Sequence, residues 1–227
     1  MIIWITGCTG GLGRALAGRY CRDGHLVVGG GRNEAVLAEL KAEFPAGNFF
    51  MLDVGDEQSV KLFCKLAYEA TGAPDYLINN AGVMNSPQPL WKVSNEEFSE
   101  LTTINVNGVA SMIRHAVPSM LERNQGLVVN ISSGLGKRGM VNVAPYCASK
   151  HAVEGLSSAL ALEFAEIRSK VGCVALSPGI INTNMLQKNL GVGADVHQTS
   201  DVWVEKAAPF ILNLSAKNNG ESLRVPD

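Results

Sequence analysis

Three side chains between residues 133 and 150 are of types that can hold a carbonyl oxygen and give it a proton. Tyr146 lies thirteen residues after Ser133, and Lys150 lies four residues after Tyr146. A tyrosine is a suitable acid if its pKa, about 10 when unperturbed, is lowered, and a nearby ammonium lowers it by favouring the phenolate. Residues four apart share one face of a helix. The apolar pattern of 145–167 predicts such a helix, so we expect Tyr146 and Lys150 to lie together.

A glycine-rich turn near the N-terminus is a candidate site for a nucleotide. The segment TGCTGGLG (6–13) lies between a β-branched apolar run and an amphipathic stretch, which predict a strand followed by a helix. Glycines let the backbone approach a pyrophosphate, and the helix N-terminus offers free amides and a positive dipole end. The turn therefore predicts a dinucleotide-binding site.

The end of the second predicted strand indicates which dinucleotide is preferred. Gly31 and Arg32 stand at this point, where an acidic side chain would hold the ribose hydroxyls of NAD. Arg32 instead offers a planar cation to a 2′-phosphate. We therefore expect NADP as the cofactor in preference to NAD.

Short apolar runs alternate with longer amphipathic segments along the whole chain, and no hairpin signal separates them. This alternation predicts an α/β fold, a Rossmann-like doubly wound parallel sheet of about seven strands with helices on both faces. One domain is expected over residues 1–227. The predicted strands are 2–6, 25–30, 49–54, 75–80, 126–132, 171–177 and 222–225. The predicted helices are 12–23, 34–43, 57–70, 95–122, 145–167 and 202–215. Residues 179–200 show no clear period and are expected to form a loop over the cleft.

The chain resembles the compact, single-domain type of short-chain dehydrogenase/reductase. The resemblance runs from Thr6 to about Thr183 and is based on several motifs that occur in order. They are TGCTGGLG (6–13), LDV (52–54), NNAG (79–82), Asn105 in INVNG, Ser133, YCASK (146–150) and SPGIINT (177–183).

The resemblance implies an oxidoreductase that transfers a hydride between NADP(H) and a carbonyl or alcohol substrate. It implies that Tyr146 is the proton donor or acceptor, that Lys150 lowers the pKa of Tyr146 and binds the nicotinamide ribose, and that Ser133 holds the carbonyl oxygen. Asn105 would anchor a water that extends the proton relay, and Asp53 would bind the adenine. With Arg32, the expected cofactor-binding residues are Gly7, Thr9, Gly11, Leu12, Gly13, Asp53, Val54, Asn80, Ala81, Gly82, Tyr146, Lys150, Pro178, Gly179, Ile181 and Thr183.

Some alternatives remain open in the sequence. The glycine turn also fits, through Gly10, the pattern of the longer epimerases and dehydratases, although length, NNAG and the serine spacing favour the compact reductases. Ser132 competes with Ser133, but the spacing of thirteen to Tyr146 matches the family at Ser133. A module that senses NADP redox state without turnover is a further alternative, and the presence of both Tyr146 and Lys150 disfavours it.

Composition excludes several other classes. The chain has 227 residues, a formal net charge of -2 and no basic block, so we expect no nucleic-acid partner. No apolar run is long enough for a membrane span, and the five scattered cysteines indicate reduced thiols in a cytoplasmic protein. The four histidines, His25, His115, His151 and His197, have no metal-binding spacing, so no metal is expected.

The substrate and the assembly are less strongly specified. An uncharged small carbonyl or alcohol compound is expected because the residues after NNAG and after Ser133 are mostly apolar, and Lys137 and Arg138 are interpreted as a solvated pair. The expected substrate-lining residues are Val83, Met84, Leu135, Met140, Val141 and segment 184–201. A homodimer or homotetramer is expected through helices 95–122 and 145–167. The small or flexible residues expected at that contact are Ala110, Met112, Ala152, Ala159 and Ala161.

Overall fold

The protein forms one seven-stranded sheet in which every neighbouring pair of strands is parallel. The computed structural model describes residues 1–226, without the side chains of residues 190 and 192; residue 227 of the predicted domain lies outside the described residues. The strand order is β3-β2-β1-β4-β5-β6-β7. The strands are β1 Ile2–Thr6, β2 Leu26–Gly31, β3 Asn48–Met51, β4 Tyr76–Asn79, β5 Gly126–Ile131, β6 Val171–Ser177 and β7 Ser222–Arg224.

Eight α-helices occur within residues 1–226, together with five short 3-10 or π segments. The helices are α1 Gly11–Arg22, α2 Glu34–Glu43, α3 Glu57–Thr71, α4 Asn95–Thr102, α5 Gly108–Arg123, α6 Ala144–Glu166, α7 Asn184–Leu190 and α8 Ser200–Asn213. The 3-10 segments are Leu90–Lys92, Gly134–Gly136, Gly191–Ala194 and Ala216–Asn218, and the π-helical segment is Thr103–Asn107. Within this range, no helix is both long and apolar enough to cross a bilayer.

The two faces of the sheet bury separate hydrophobic cores, because successive strand side chains point to opposite faces. On one face, Ile3 and Ile5 pack in a cluster with residues of α1, α2 and α8. On the other face, Trp4 packs with residues of α3, α5 and α6. The predicted doubly wound α/β fold is confirmed.

Most predicted elements are present, and the largest differences lie in two places. The predicted helix 95–122 is interrupted by the π-helical segment Thr103–Asn107. The segment 179–200, predicted to be irregular, contains α7, which begins where the Thr183 hydroxyl accepts a hydrogen bond from Leu186 N at 3.3 Å. This helix has only seven residues, too few for a helical period to be recognised in the sequence. The predicted third strand, 49–54, ends at Met51.

Candidate active site

A deep cleft of about 1290 Å³ opens along the carboxyl ends of the strands. Its walls come from the segments that follow β1 to β6, which is where ligands bind in open parallel sheets. Of the predicted site residues, all line this cleft except Gly13 and Asn105. Those two do not line it.

The glycine turn after β1 presents free backbone amides to one end of the cleft. Gly7 and Gly11 have φ values of 71° and 50°, which disfavour residues with a β-carbon. The N-cap of α1 is Gly10, and no side chain caps this helix, so its first amides remain available. The turn therefore has the chemistry needed for the diphosphate of a dinucleotide.

Gly13 supports this turn from behind the cleft wall. A β-carbon placed on Gly13 would lie 2.3 Å from the Gly7 carbonyl oxygen and 2.4 Å from Asn80 Nδ2. Both distances are too short for any contact, so α1 packs this closely on the turn only because residue 13 is glycine. The role of Gly13 in the structure is close packing, and it does not line the cleft.

A residue outside the predicted set, Thr6, connects the glycine turn to the end of β4. Its hydroxyl oxygen accepts hydrogen bonds from Asn80 N at 3.1 Å and from Ala81 N at 3.0 Å. The Asn80 amide donates back to the Thr6 carbonyl oxygen at 2.9 Å. These bonds hold the NNAG segment and the glycine turn in one rigid unit.

The end of β2 forms the part of the cleft that lies next to the predicted adenosine site. Arg32 is exposed and lines the cleft. A β-carbon on Gly31 would lie 2.5 Å from Thr9 Cγ2, so no larger residue fits at position 31 as the chain stands. Asp53 also lines the cleft, and its Oδ1 accepts a hydrogen bond from Gly55 N at 2.9 Å. This end therefore has a cation where an NAD site would have a carboxylate.

Ser133, Tyr146 and Lys150 meet at the other end of the cleft. Ser133 follows β5, and its Oγ accepts a hydrogen bond from Leu135 N at 3.1 Å. Tyr146 and Lys150 lie one turn apart on α6, with Lys150 Nζ 5.6 Å from the centroid of the tyrosine ring. The buried Lys150 ammonium donates a hydrogen bond to the Ile131 carbonyl oxygen at 2.8 Å. The three side chains that the sequence singled out thus share one corner of the cleft.

The electrostatics of this corner differ from the prediction. Burial raises the pKa of Tyr146 to about 12, although a hydrogen bond from the Ser133 side chain opposes this rise. Burial also lowers the pKa of Lys150 to about 8, and the Glu154 carboxylate opposes that shift. The net lowering expected for the pKa of Tyr146 is therefore not seen in this arrangement, and the effect of Lys150 on Tyr146 stays a prediction. The physical reason is that burial disfavours the charged phenolate more than the Ser133 hydrogen bond favours it.

The structure distinguishes Ser133 from its neighbour Ser132. The Ser132 side chain is buried, and its hydroxyl donates to Glu154 Oε1 at 2.5 Å. Ser133 is half-buried, and its hydroxyl lies within hydrogen-bonding range of Tyr146. Ser133 is therefore the serine that faces the phenol. Glu154 was not recognised in the sequence, although it lies four residues after Lys150 and hence on the same helix face.

Asn105 lies in the π-helical segment Thr103–Asn107 and is buried. Its Oδ1 accepts a hydrogen bond from Val83 N at 2.8 Å, and its Nδ2 donates to the Val83 carbonyl oxygen at 2.8 Å and to Ser149 Oγ at 3.0 Å. The amide thus joins the NNAG segment to the YCASK segment of α6. A π-helical turn inside an α-helix frequently occurs at a functional site. The water-binding role of Asn105 stays a prediction.

The segment after β6 closes the cleft between its two ends. Gly179 has a φ of 87°, and the Pro178 carbonyl oxygen accepts a hydrogen bond from Trp203 Nε1 at 2.9 Å. A β-carbon on Gly11 would lie 3.4 Å from Thr183 Cγ2, so the turn before α7 lies next to the glycine turn. The cleft is therefore bounded on both sides at the position expected for the diphosphate.

The predicted substrate-lining residues form the outer part of the cleft. Val83, Met84, Leu135, Met140 and Val141 all line it, as do Asn184, Met185, Leu186 and Asn189 from α7. The predicted solvated pair separates: Arg138 lines the cleft, whereas Lys137 Nζ donates to the Ser222 carbonyl oxygen at 3.3 Å.

The residues predicted for close packing between subunits fall into two groups. Met112 and Ala161 are buried in the core, so they were wrongly assigned to an outer surface. Ala152 and Ala159 are exposed on α6, and Ala110 is half-buried on α5. The assignment of Met112 and Ala161 was wrong because small or flexible residues of a helix can face the core of their own chain as well as the solvent.

Comparison with known sequences identifies the family. The family model described as short chain dehydrogenase matches residues 1–191. The chain belongs to this family. The predicted family and the predicted enzyme class, an oxidoreductase, are therefore confirmed.

Two curated short-chain dehydrogenases illustrate the range of relatives. The NADPH-dependent pterin aldehyde reductase of Arabidopsis thaliana is 45% identical over 226 residues, which cover 98% of this chain and 92% of that protein. The 3beta-hydroxysteroid dehydrogenase of Mediterraneibacter gnavus is 32% identical over 192 residues, which cover 83% of this chain and 68% of that protein.

Solved structures of other members superpose over nearly the whole chain. The closed form of serine dehydrogenase complexed with NADP+ has a TM-score of 0.90 at 26% identity, covering 99% of this chain and 94% of that chain. The 3-ketoacyl-(acyl-carrier-protein) reductase from Brucella melitensis complexed with NADH has a TM-score of 0.89 at 29% identity, covering 99% of this chain and 96% of that chain. The fold is thus shared by relatives whose structures were solved with different nicotinamide nucleotides.

Proposed function

We propose that this short-chain dehydrogenase uses NADPH to reduce an aldehyde and that Tyr146 donates the proton. The observation that carries the proposal is the corner formed by Ser133, Tyr146 and Lys150, which opens into the same cleft as the glycine turn. A hydride acceptor held at this corner would lie between the proton donor and the nucleotide site.

The residues of the cleft fit NADPH. The free amides at the start of α1 suit the diphosphate, and Arg32 suits the 2′-phosphate through charge-assisted hydrogen bonds. Asp53 suits the adenine end, while Lys150, together with the Pro178–Thr183 segment, suits the nicotinamide end. When bound, NADPH supplies the hydride. The similarity to a reductase named as NADPH-dependent further supports this cofactor.

The side chains at the corner have separate tasks. The Ser133 hydroxyl donates a hydrogen bond to the carbonyl oxygen and so fixes its position. The Tyr146 phenol transfers its proton to this oxygen as negative charge develops there. Since burial holds the pKa of Tyr146 near 12, the phenol is protonated at neutral pH and ready for reduction. The Lys150 ammonium stabilises the phenolate that remains.

The substrate class that we propose is an aldehyde carried on a flat nitrogen heterocycle of the pterin type. The first support is the 45% identity to a pterin aldehyde reductase over nearly the full length of both chains. The second is the composition of the outer cleft, where Met84, Met140 and Met185 combine with Asn184 and Asn189. Thioethers pack favourably on aromatic rings, and amides complement the donors and acceptors at a heterocycle edge.

A substrate panel tests this function. The purified protein is mixed with NADPH or NADH and with a pterin aldehyde, benzaldehyde or an unbranched aliphatic aldehyde, and the loss of nucleotide absorbance is followed. We expect the highest kcat/KM for the pterin aldehyde with NADPH. Equal kcat/KM for all three aldehydes would refute the substrate class, and no oxidation of either nucleotide would refute the reductase itself.

We also propose that two copies associate through the outer faces of α5 and α6. Support comes from the exposed small residues Ala152 and Ala159 and from Leu162, whose side chain is 70% exposed on α6. Sedimentation measurements on the wild-type chain and on Leu162→Glu would test this, with the variant expected to be monomeric. The cytoplasmic location stays a prediction, to which the five free thiols are suited.

A further inference from the structure

The carboxylate of Glu154 binds two serine hydroxyls from different parts of the chain. Its Oε1 accepts from Ser132 Oγ at 2.5 Å, and its Oε2 accepts from Ser222 Oγ at 2.5 Å. Both distances fall in the range of charge-assisted O–H···O⁻ hydrogen bonds. Each oxygen of the carboxylate therefore has a hydroxyl donor.

These contacts enclose the segment that carries Ser133, which we call the Ser133 loop (residues 132–138). Ser132 lies at its start and is held by Glu154. Lys137 lies near its end, and its Nζ donates to the carbonyl oxygen of Ser222, the residue whose hydroxyl binds Glu154. The loop is thus fixed at both ends to α6 and β7.

The middle of the Ser133 loop packs on α6 at the same place. A β-carbon on Gly136 would lie 2.9 Å from the Lys150 carbonyl oxygen, 2.9 Å from Ser132 Oγ and 3.0 Å from Glu154 Cγ. The loop therefore has no room to shift towards α6. Any movement of the Glu154 carboxylate would be transmitted to Ser132, and through it to the neighbouring Ser133.

We propose that Glu154 is a positioning residue for the reaction: it holds the Ser133 loop against α6 and β7 and places its carboxylate one helical turn from Lys150. This proposal rests on the proposed function, because it assigns Glu154 a task that matters only if Ser133 and Lys150 take part in carbonyl reduction. Glu154 acts through Ser133 and Lys150. The proposal assigns Glu154 no contact with the reacting atoms.

The charge of Glu154 acts on Lys150 from one turn along the same helix. Among the described residues, the titratable groups found against Lys150 are the Glu154 carboxylate and the Tyr146 phenol, whose ring centroid lies 5.6 Å from Nζ. The Ile131 carbonyl oxygen, which accepts the hydrogen bond of Lys150 Nζ, is uncharged. Since burial lowers the pKa of Lys150 and Glu154 raises it, removing the carboxylate charge must lower that pKa further.

Steady-state kinetics test the positioning role. Glu154→Gln keeps the shape of the side chain but removes its charge and one acceptor. We expect kcat to fall about tenfold to a hundredfold, since small misplacements of reacting groups cost rates of this order. Glu163→Gln, an exposed carboxylate on the same helix, is the matched control and should retain wild-type kcat.

A double-variant cycle tests the route through Ser132. Ser132→Ala should lower kcat in the same direction, and Glu154→Gln combined with Ser132→Ala should be no slower than Glu154→Gln alone, because both changes break the same contact. Fully additive losses would overturn the proposed route. If Glu154→Gln does not fold, Ser132→Ala and Ser222→Ala are measured in its place. A wild-type kcat in both of these variants would overturn the proposal.

A titration that needs no turnover tests the charge effect. The pKa of Lys150 is measured by NMR of its labelled side chain, assigned with Lys150→Arg. The pKa should be lower in Glu154→Gln than in the wild type and unchanged in Ser132→Ala. An unchanged pKa in Glu154→Gln, or wild-type kcat in that folded variant, would overturn the proposal. The pKa of Lys150 can be measured even if the wild type reduces none of the aldehydes. Failure of the proposed reductase function and failure of the Glu154 proposal therefore give different results.

Discussion

The inner and outer parts of the cleft differ in the elements that build them. The inner part consists of the ends of β1, β4 and β5, the start of α1 and one face of α6, and it is held by hydrogen bonds such as those of Thr6 to Asn80 and Ala81. The outer part consists of the loops after β4 and β5 and the short helix α7. The inner part therefore has fixed geometry for shared chemistry, and the outer part is suited to selecting a substrate.

This contrast predicts that changes in the inner part affect stability, nucleotide binding and hydride transfer, whereas changes in the outer part affect substrate affinity alone. The range of relatives agrees with it, because proteins named as a pterin aldehyde reductase, a hydroxysteroid dehydrogenase and a ketoacyl reductase match the same chain.

Gly13→Ala should produce the largest structural effect. The added β-carbon would lie 2.3 Å from the Gly7 carbonyl oxygen, and overpacking of this kind costs about 1–3 kcal/mol of unfolding free energy. Urea denaturation measures this loss, and nucleotide affinity should fall with it. Gly10→Ala is the matched control, because nothing lies within 4 Å of a β-carbon there. Equal stability of the two variants would contradict the close packing described for Gly13.

Arg32→Ala should weaken NADPH binding by about tenfold to a hundredfold, the value of a hydrogen-bonded charge. The affinity for NADH should be unchanged, because NADH lacks the 2′-phosphate. Fluorescence titration with both nucleotides measures the two affinities. Lys41→Ala, a change at an exposed cation on α2, controls for net charge. Parallel losses for NADPH and NADH in Arg32→Ala would remove its phosphate role.

Lys150→Met should change how stability depends on pH. Burial lowers the pKa of Lys150 from 10.5 to about 8. Below pH 8 the buried ammonium therefore lowers the unfolding free energy of the wild type by its full amount. This cost disappears as the pH rises towards 10.5, where the unfolded chain also loses the proton. The unfolding free energy of the wild type should therefore rise relative to Lys150→Met between pH 8 and 10.5. Parallel pH profiles would show that the ammonium is not buried as described.

Met140→Ala should have the smallest effect and should be confined to the substrate. Met140 lines the outer cleft and is 49% exposed, so its removal leaves the core intact. We expect the KM for the aldehyde to rise by roughly the value of one partly buried methionine, a few-fold to tenfold, with unchanged NADPH affinity and unfolding free energy. A lower NADPH affinity in this variant would contradict the assignment of nucleotide binding to the inner part of the cleft and of substrate binding to the outer part.

The sequence predicted the inner part well because its signals are local. The β-branched run of β1 and the glycine turn after it are contiguous, and Tyr146 and Lys150 are related by one helical turn. The contacts of Glu154 were missed because they join residues far apart in the chain, Ser132 and Ser222. The raised pKa of Tyr146 was not foreseen because desolvation depends on how neighbouring segments cover the phenol. Helix α7 was missed because seven residues carry too little periodicity.

The measurement that tests the account most directly is single-turnover hydride transfer in Tyr146→Phe with saturating NADPH. The account predicts that transfer to the aldehyde slows by about a hundredfold or more, the usual contribution of a general acid, while NADPH binds as in the wild type. Transfer at the wild-type rate in a variant that binds NADPH normally would contradict the assignment of the proton donor and, with it, the proposed active site.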